Sequence, residues 1–159
     1  MKNRKLTHVD QSGNPSMVNV SDKVVTKRTA KAQAVVRVGS EIMALIKDNE
    51  LMTRKGPVFQ TAILAGIMGA KKTSDLIPLC HPLGLDDCQI IIKANEQEVV
   101  ITSVATLSAK TGVEMEALTA VSIAALTIYD MCKALSHNIV IAEIKLLEKT
   151  GGKKDFKRT

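Results

Sequence analysis

Hydrophobic and polar positions along the chain alternate between two periods, and each switch marks an element. Ala34, Val35, Val36 and Val38 form a largely β-branched run that ends at Gly39, which predicts a strand. Ser40, followed by Ile42, Met43, Leu45 and Ile46, predicts an N-cap and a short helix. After the turn Arg54-Lys55-Gly56-Pro57, Val58, Ala62, Ala65, Ile67 and Met68 lead at helical spacing to Lys71-Lys72. Proline near its first turn and cations in its last suit a second helix. Cys88 to Lys93 and Val99 to Leu107 flank the polar turn Asn95-Glu96-Gln97 and predict a β-hairpin. The longest helix is expected from about Val113 to Leu135, with a closing strand from Ile139 to Leu147.

The predicted order is β, α in two pieces, β, β, α, β. That is the order of the split βαβ, ferredoxin-like motif, a four-stranded antiparallel sheet with helices on one face. Residues 1–159 form one expected domain: an extended N-terminal arm over 1–34, the core over 35–149 and a basic tail over 150–159. Ala65, Gly66, Gly69 and Ala70 leave room for a neighbouring backbone, and the long helix is apolar around most of its circumference. Both faces are expected to bury against other subunits, making the protein oligomeric.

Composition narrows this picture. A length of 159 residues, 45% of them hydrophobic, and a formal charge of +6 fit one soluble domain and exclude a disordered chain. No apolar run is expected to reach the roughly 18 residues of a membrane span. Cys80, Cys88 and Cys132 lack CxxC spacing, so neither a disulfide framework nor a zinc knuckle is expected, and the context is read as reduced and cytoplasmic. MKNRKLTHVD has basic residues without an apolar segment behind them, so no secretory signal is expected. Phe59, Tyr129 and Phe156 are the only aromatic residues, which argues against a stacking surface for nucleic acid. A modest positive charge remains suited to a phosphorylated small molecule.

On the long helix, Glu116, Thr119, Ser122, Thr127, Asp130 and Lys133 share one arc of about 140°. Glu114 projects nearly opposite, and Thr111-Gly112-Val113-Glu114 matches a capping box with Thr111 as N-cap. Glu116 suits either a solvated first turn or a site. Asp130 and Lys133, three residues apart, are either an intrahelical ion pair or chemical groups. Fourteen residues at 1.5 Å each separate Glu116 from Asp130 by about 21 Å, too far for one small site in one subunit. Either the substrate is long or a second subunit completes the pocket.

The segment Leu76-Ile77-Pro78-Leu79-Cys80-His81-Pro82 is stiffened by two prolines. It presents His81 for acid/base work or phosphate binding, with a buried structural histidine as the alternative. Cys80 faces away from it as packing or a pocket wall. His8 and His137 read as surface residues. Lys55 and Lys149 stand near glycines whose amides are open to phosphate oxygens, while Lys71 and Lys72 end the second helix.

Three motifs, Leu76 to Leu83, Lys110 to Thr119 and Leu126 to Ala134, closely resemble the cyclic pyranopterin monophosphate synthase family of molybdenum cofactor biosynthesis, historically molybdenum cofactor biosynthesis protein C. The similarity takes in Leu6 to Asp10, Met17 to Val20, Lys55-Gly56, Ala70 to Thr73 and Lys149 to Lys153, nearly the whole chain. Pro57 and Gly84 to Asp87 depart from the family pattern without touching a matched site position. The resemblance implies a ferredoxin-like subunit in a homohexamer, a trimer of dimers with active sites at subunit interfaces. It implies a lyase of phosphorus–oxygen type that turns (8S)-3′,8-cyclo-7,8-dihydroguanosine 5′-triphosphate into cyclic pyranopterin monophosphate with release of diphosphate, using no cofactor or metal and binding neither nucleic acid nor membrane. By position, Asp130, Lys133 and Lys55 match catalytic residues. Leu79, Cys80, His81, Met115 and Glu116 match substrate-binding positions, with Glu114, Lys71 and Lys149 further pocket positions. Alternative classes are a small RNA-binding module, which would need aromatics on the central strands, and a structural accessory subunit.

Overall fold

The computed structural model describes residues 9–10 and 12–159. Eleven elements follow one another: β1 (Thr26–Arg37), α1 (Gly39–Met43), β2 (Met52–Thr53), β3 (Gly56–Pro57), α2 (Val58–Lys71), α3 (Thr73–Leu76), β4 (Asp87–Asn95), β5 (Glu98–Ala109), α4 (Glu114–Cys132), β6 (Val140–Thr150) and β7 (Phe156–Lys157). The large sheet is antiparallel in the order β4-β5-β1-β6-β7, and β2 pairs β3 in a separate hairpin. It thus has five strands where four were expected, because the basic tail returns as β7 along the edge of β6. The architecture is α+β.

β1 starts at Thr26, well before the predicted strand, so residues 26–34 of the expected arm form most of the central strand. Its side chains alternate. Ala30, Ala32, Ala34 and Val36 are buried on the helix side, and Thr29, Lys31 and Gln33 face the other way. Val99, Ile101, Ala105 and Leu107 of β5 join the buried face. Register fixes this: Ala34 sits opposite Ile101 and Ala30 opposite Ala105.

α4 lies over β1, β5 and β6 and packs beside α2. It is long and apolar enough, by length and composition, to cross a membrane, contrary to the sequence expectation. Its burial here is that of a core helix: Ala117, Ala120, Val121, Ala124, Ala125 and Ile128 are all inaccessible. The small-residue face of α2 is also spent inside the subunit. A Cβ on Gly66 would collide with Ile90 and lie 2.8 Å from the Ala120 carbonyl oxygen, and one on Gly69 would lie 2.6 Å from Ile123. The expected inter-subunit role of that face is therefore corrected to a contact with α4 and β4. Leu64 and Met68, elsewhere on α2, and Leu126 on α4 remain exposed. α1 has no side-chain cap; Ser40 lies inside it rather than before it.

Candidate active site

The N-terminal end of α4 opens onto a cavity of about 570 Å³. Leu79, Cys80 and His81 form one wall, Glu114, Met115 and Glu116 another, and Lys149 of β6 reaches in from the sheet. The chain from Val18 to Lys23 covers a third side. His81 is half-buried, and its Nε2 lies 2.9 Å from the Val18 carbonyl oxygen. A carbonyl can only accept, so Nε2 carries hydrogen and the neutral ring keeps its lone pair on Nδ1.

Glu116 is 3% exposed. Burial pushes its carboxyl pKa up, the neighbouring Glu114 charge adds to this, and a backbone amide pulls back. Cys80 also has a raised pKa, through burial first and the Glu116 charge second. Its thiol therefore stays protonated near neutrality and serves as wall.

Glu114 corrects an expectation. α4 begins at Glu114 itself, with Val113 at the N-cap and no side-chain capping bond, so Glu114 is the first helical residue and out of frame for a capping box. Its Oε1 instead accepts a hydrogen bond from Lys149 Nζ at 2.7 Å. A Cβ at Gly112 would overlap that carboxylate, so glycine there admits the bridge. Beyond the bridge is a second cavity of about 210 Å³, lined by Lys23, Arg28, Lys110 and Lys153. Arg28 Nε donates to Ala109 O at 3.4 Å and Lys110 Nζ to Ser21 O at 2.7 Å. Sequence reasoning named none of these four as site residues, although Lys110 and Lys153 lie within the family-like motifs. For Arg28 the signal was the alternation along β1, which sets it on the Ala30 and Ala32 side.

The C-terminal end of α4 carries a different cluster. Lys55, in the turn between β2 and β3, places Nζ 2.7 Å from Asp130 Oδ2 and 3.0 Å from the Asp130 carbonyl oxygen. Lys133 Nζ lies 2.8 Å from Oδ1. One ammonium thus holds each carboxylate oxygen. The Lys133 hydrogen bond, and then that of Lys55, lowers the Asp130 pKa to about 2. Asp130 in turn raises that of Lys133. All three side chains are solvent-exposed, and none lines the cavity at the other end.

The polar arc of α4 does not form one open groove. Glu116 and Thr119 are buried, while Ser122 and Thr127 bond to the carbonyls of Leu118 and Ile123. Lys71 is exposed at the end of α2 near Cys88, and Lys72 follows it; neither joins the cavity. His137 is exposed, and His8 lies outside the described residues. Among the described residues no three His, Cys, Asp or Glu side chains gather as metal ligands.

An acidic and basic cavity at one end of a core helix, and a Lys–Asp–Lys cluster at the other, define an α+β protein with carboxyl and ammonium groups gathered at both ends of that helix. Residues 17–152 match the MoaC family, and the chain belongs to that family. Over 156 residues it is 50% identical to the cyclic pyranopterin monophosphate synthase of Xanthomonas axonopodis pv. citri (strain 306), covering 98% of this chain and 94% of that protein. It is 51% identical over 156 residues to molybdenum cofactor biosynthesis protein 1 of Drosophila melanogaster. That match covers 97% of this chain and 27% of the fly protein, so the chain spans about a quarter of that relative's length.

Proposed function

We propose that the chain is a cyclic pyranopterin monophosphate synthase, acting on 3′,8-cyclo-7,8-dihydroguanosine 5′-triphosphate and releasing diphosphate as a phosphorus–oxygen lyase. The observation that carries this reading is the near full-length identity to the Xanthomonas synthase. The site chemistry supports it. Opening a purine ring, building a pyranopterin and closing a cyclic phosphate need several proton transfers and no hydride carrier. Lys55 and Lys133 bring protons held against Asp130, His81 offers a lone pair on Nδ1, and Glu116 is biased by burial towards holding its proton. Lys149 and the adjoining basic cavity suit a triphosphate and its departing diphosphate.

The strand order β4-β5-β1-β6, with α2 and α4 on one face, supports the ferredoxin-like assignment, with β7 as an edge addition. About 21 Å of α4 separates Glu116 from Asp130, more than a small substrate bridges. A partner subunit is therefore assigned the task of bringing its Lys55–Asp130–Lys133 cluster to this subunit's cavity, within a homohexamer of three dimers. Exposed Leu64, Met68 and Leu126 are apolar surface available for such contacts.

Purified protein incubated with the cyclic dihydroguanosine triphosphate, without any upstream radical enzyme, is expected to yield the pyranopterin and diphosphate in equal amounts. Absence of both products would sink the reading. Sedimentation is expected to give about six times the 17.1 kDa subunit mass.

A further inference from the structure

Lys55 sits at the tip of a hairpin whose strands are two residues each, a unit too short to hold a lysine in place by its own ladder. The hairpin is fastened elsewhere. Glu50, just before β2, lays its carboxylate across the start of α2: Oε1 accepts from the amides of Leu51 at 2.8 Å and Phe59 at 2.7 Å, and Oε2 from Gln60 at 3.1 Å. Phe59 and Gln60 are the second and third residues of α2, whose amides an N-cap side chain ordinarily takes. The N-cap here is Pro57, which makes no such bond. Glu50 thus caps α2 from the far side of the hairpin, with its negative charge on the positive helix end.

The same residue is pinned from behind. Lys47 and Glu50 exchange both backbone hydrogen bonds at 2.9 Å around Asp48 and Asn49, whose φ angles of 51° and 58° are left-handed. Val58 N donates to Leu51 O at 2.9 Å, closing the hairpin base. At the tip, Thr53 Oγ1 accepts from the Lys55 amide and donates to Gly56 O, both at 3.2 Å. From this frame Lys55 reaches Asp130 on α4.

We propose that Glu50 is a positioning residue: by capping α2 across the hairpin, it sets the place from which Lys55 engages Asp130. The proposal rests on the reading of Lys55 as a catalytic residue, but its first test does not require turnover. In Glu50→Ala, acylation of Lys55 by an N-hydroxysuccinimide ester, read by peptide mass spectrometry against Lys31, becomes several-fold faster, because the ion pair no longer shields the amine. Turnover falls about tenfold in kcat with KM changed less than about twofold. Glu50→Gln keeps one oxygen for the Leu51 and Phe59 amides and restores both readouts towards the parent values. Adding Glu50→Ala to Lys55→Met costs no further activity. Should Glu50→Ala not fold, Glu50→Asp, one methylene short of the helix amides, carries the same comparison. Unchanged Lys55 acylation in a folded variant overturns the proposal, whatever happens to turnover. Faster acylation in Glu50→Ala, together with full activity of Lys55→Met, would uphold the positioning and remove Lys55 from catalysis.

Discussion

The two ends of α4 treat the same functional group in opposite ways. At the N-terminal end Glu116 is enclosed, no ammonium holds it among the described residues, and its pKa rises through burial. At the C-terminal end Asp130 is in solvent, an ammonium sits on each oxygen, and its pKa falls to about 2. One helix therefore carries a carboxyl biased towards its acid form and a carboxylate that keeps its charge at any physiological pH. The lesson is that the same carboxyl group becomes a fixed anion where two ammonium groups flank it, as at Asp130, and is pushed towards its protonated form where burial dominates, as at Glu116.

The sharpest way to break this contrast is at the exposed end. Asp130→Asn, Lys133→Met and Lys55→Met are each expected to lower turnover roughly 100-fold or more. Melting temperatures should hardly move, since solvent screens an ion pair this exposed and leaves it little share in stability. Near-parent rates in all three folded variants would leave the cluster a surface ornament. The next largest effect is a recovery. If each site joins two subunits, mixing inactive Asp130→Asn with inactive His81→Ala after dissociation should restore roughly a quarter of parent activity through intact sites in mixed dimers. No recovery after verified subunit exchange would place both ends of one site in one chain.

Glu114→Gln is expected to cost about tenfold in turnover because it releases Lys149, and Lys149→Met should cost little more when Glu114 is already changed. Additive losses would show that the two side chains act separately. The smallest effect concerns stability. A carboxyl whose folded pKa is raised gives the native state more bound protons than the unfolded state between the two values, so stability declines as pH rises through that window. Glu116→Gln removes the decline. It should melt higher than the parent at neutral pH, with the difference vanishing as pH falls below the range of an unfolded carboxyl; a lower melting point at neutral pH would mean that the Glu116 charge is held by a partner.

Much of this was legible in the sequence where one local signal dominates. The β4–β5 hairpin and α4 fall within a few residues of the periodic runs that announced them, because alternation and helical spacing are properties of short windows. β1 began earlier than predicted because its buried positions are alanines between threonine, lysine and glutamine, a true alternation whose apolar members are small and poor strand formers. Glu114 misled for a different reason. Its partner Lys149 is 35 residues away, and a local capping pattern can compete on paper with an ion pair only the fold can form. The site followed the same division. His81, Glu116 and Lys149 meet in one cavity as the motifs suggested, but the carboxylate of Glu50 and the cation Lys23 carried no pattern of their own, and the motifs holding Lys110 and Lys153 did not single them out as site residues.

The seam between α4 and the sheet is made largely of alanine, with Ala30, Ala32 and Ala34 beneath a helix bearing Ala117, Ala120, Ala124 and Ala125. Ordering an alanine on folding forfeits no rotamer freedom, so this contact is bought almost without side-chain entropy. It also has no rotamers with which to yield. A bulkier residue anywhere along it cannot be absorbed by a neighbour turning aside; it must lift the helix as a rod and move both ends together. The chain thus keeps its two charge centres a constant distance apart with side chains that take no part in chemistry, and a substitution such as Ala120→Leu should disturb His81 and Lys133 environments at once.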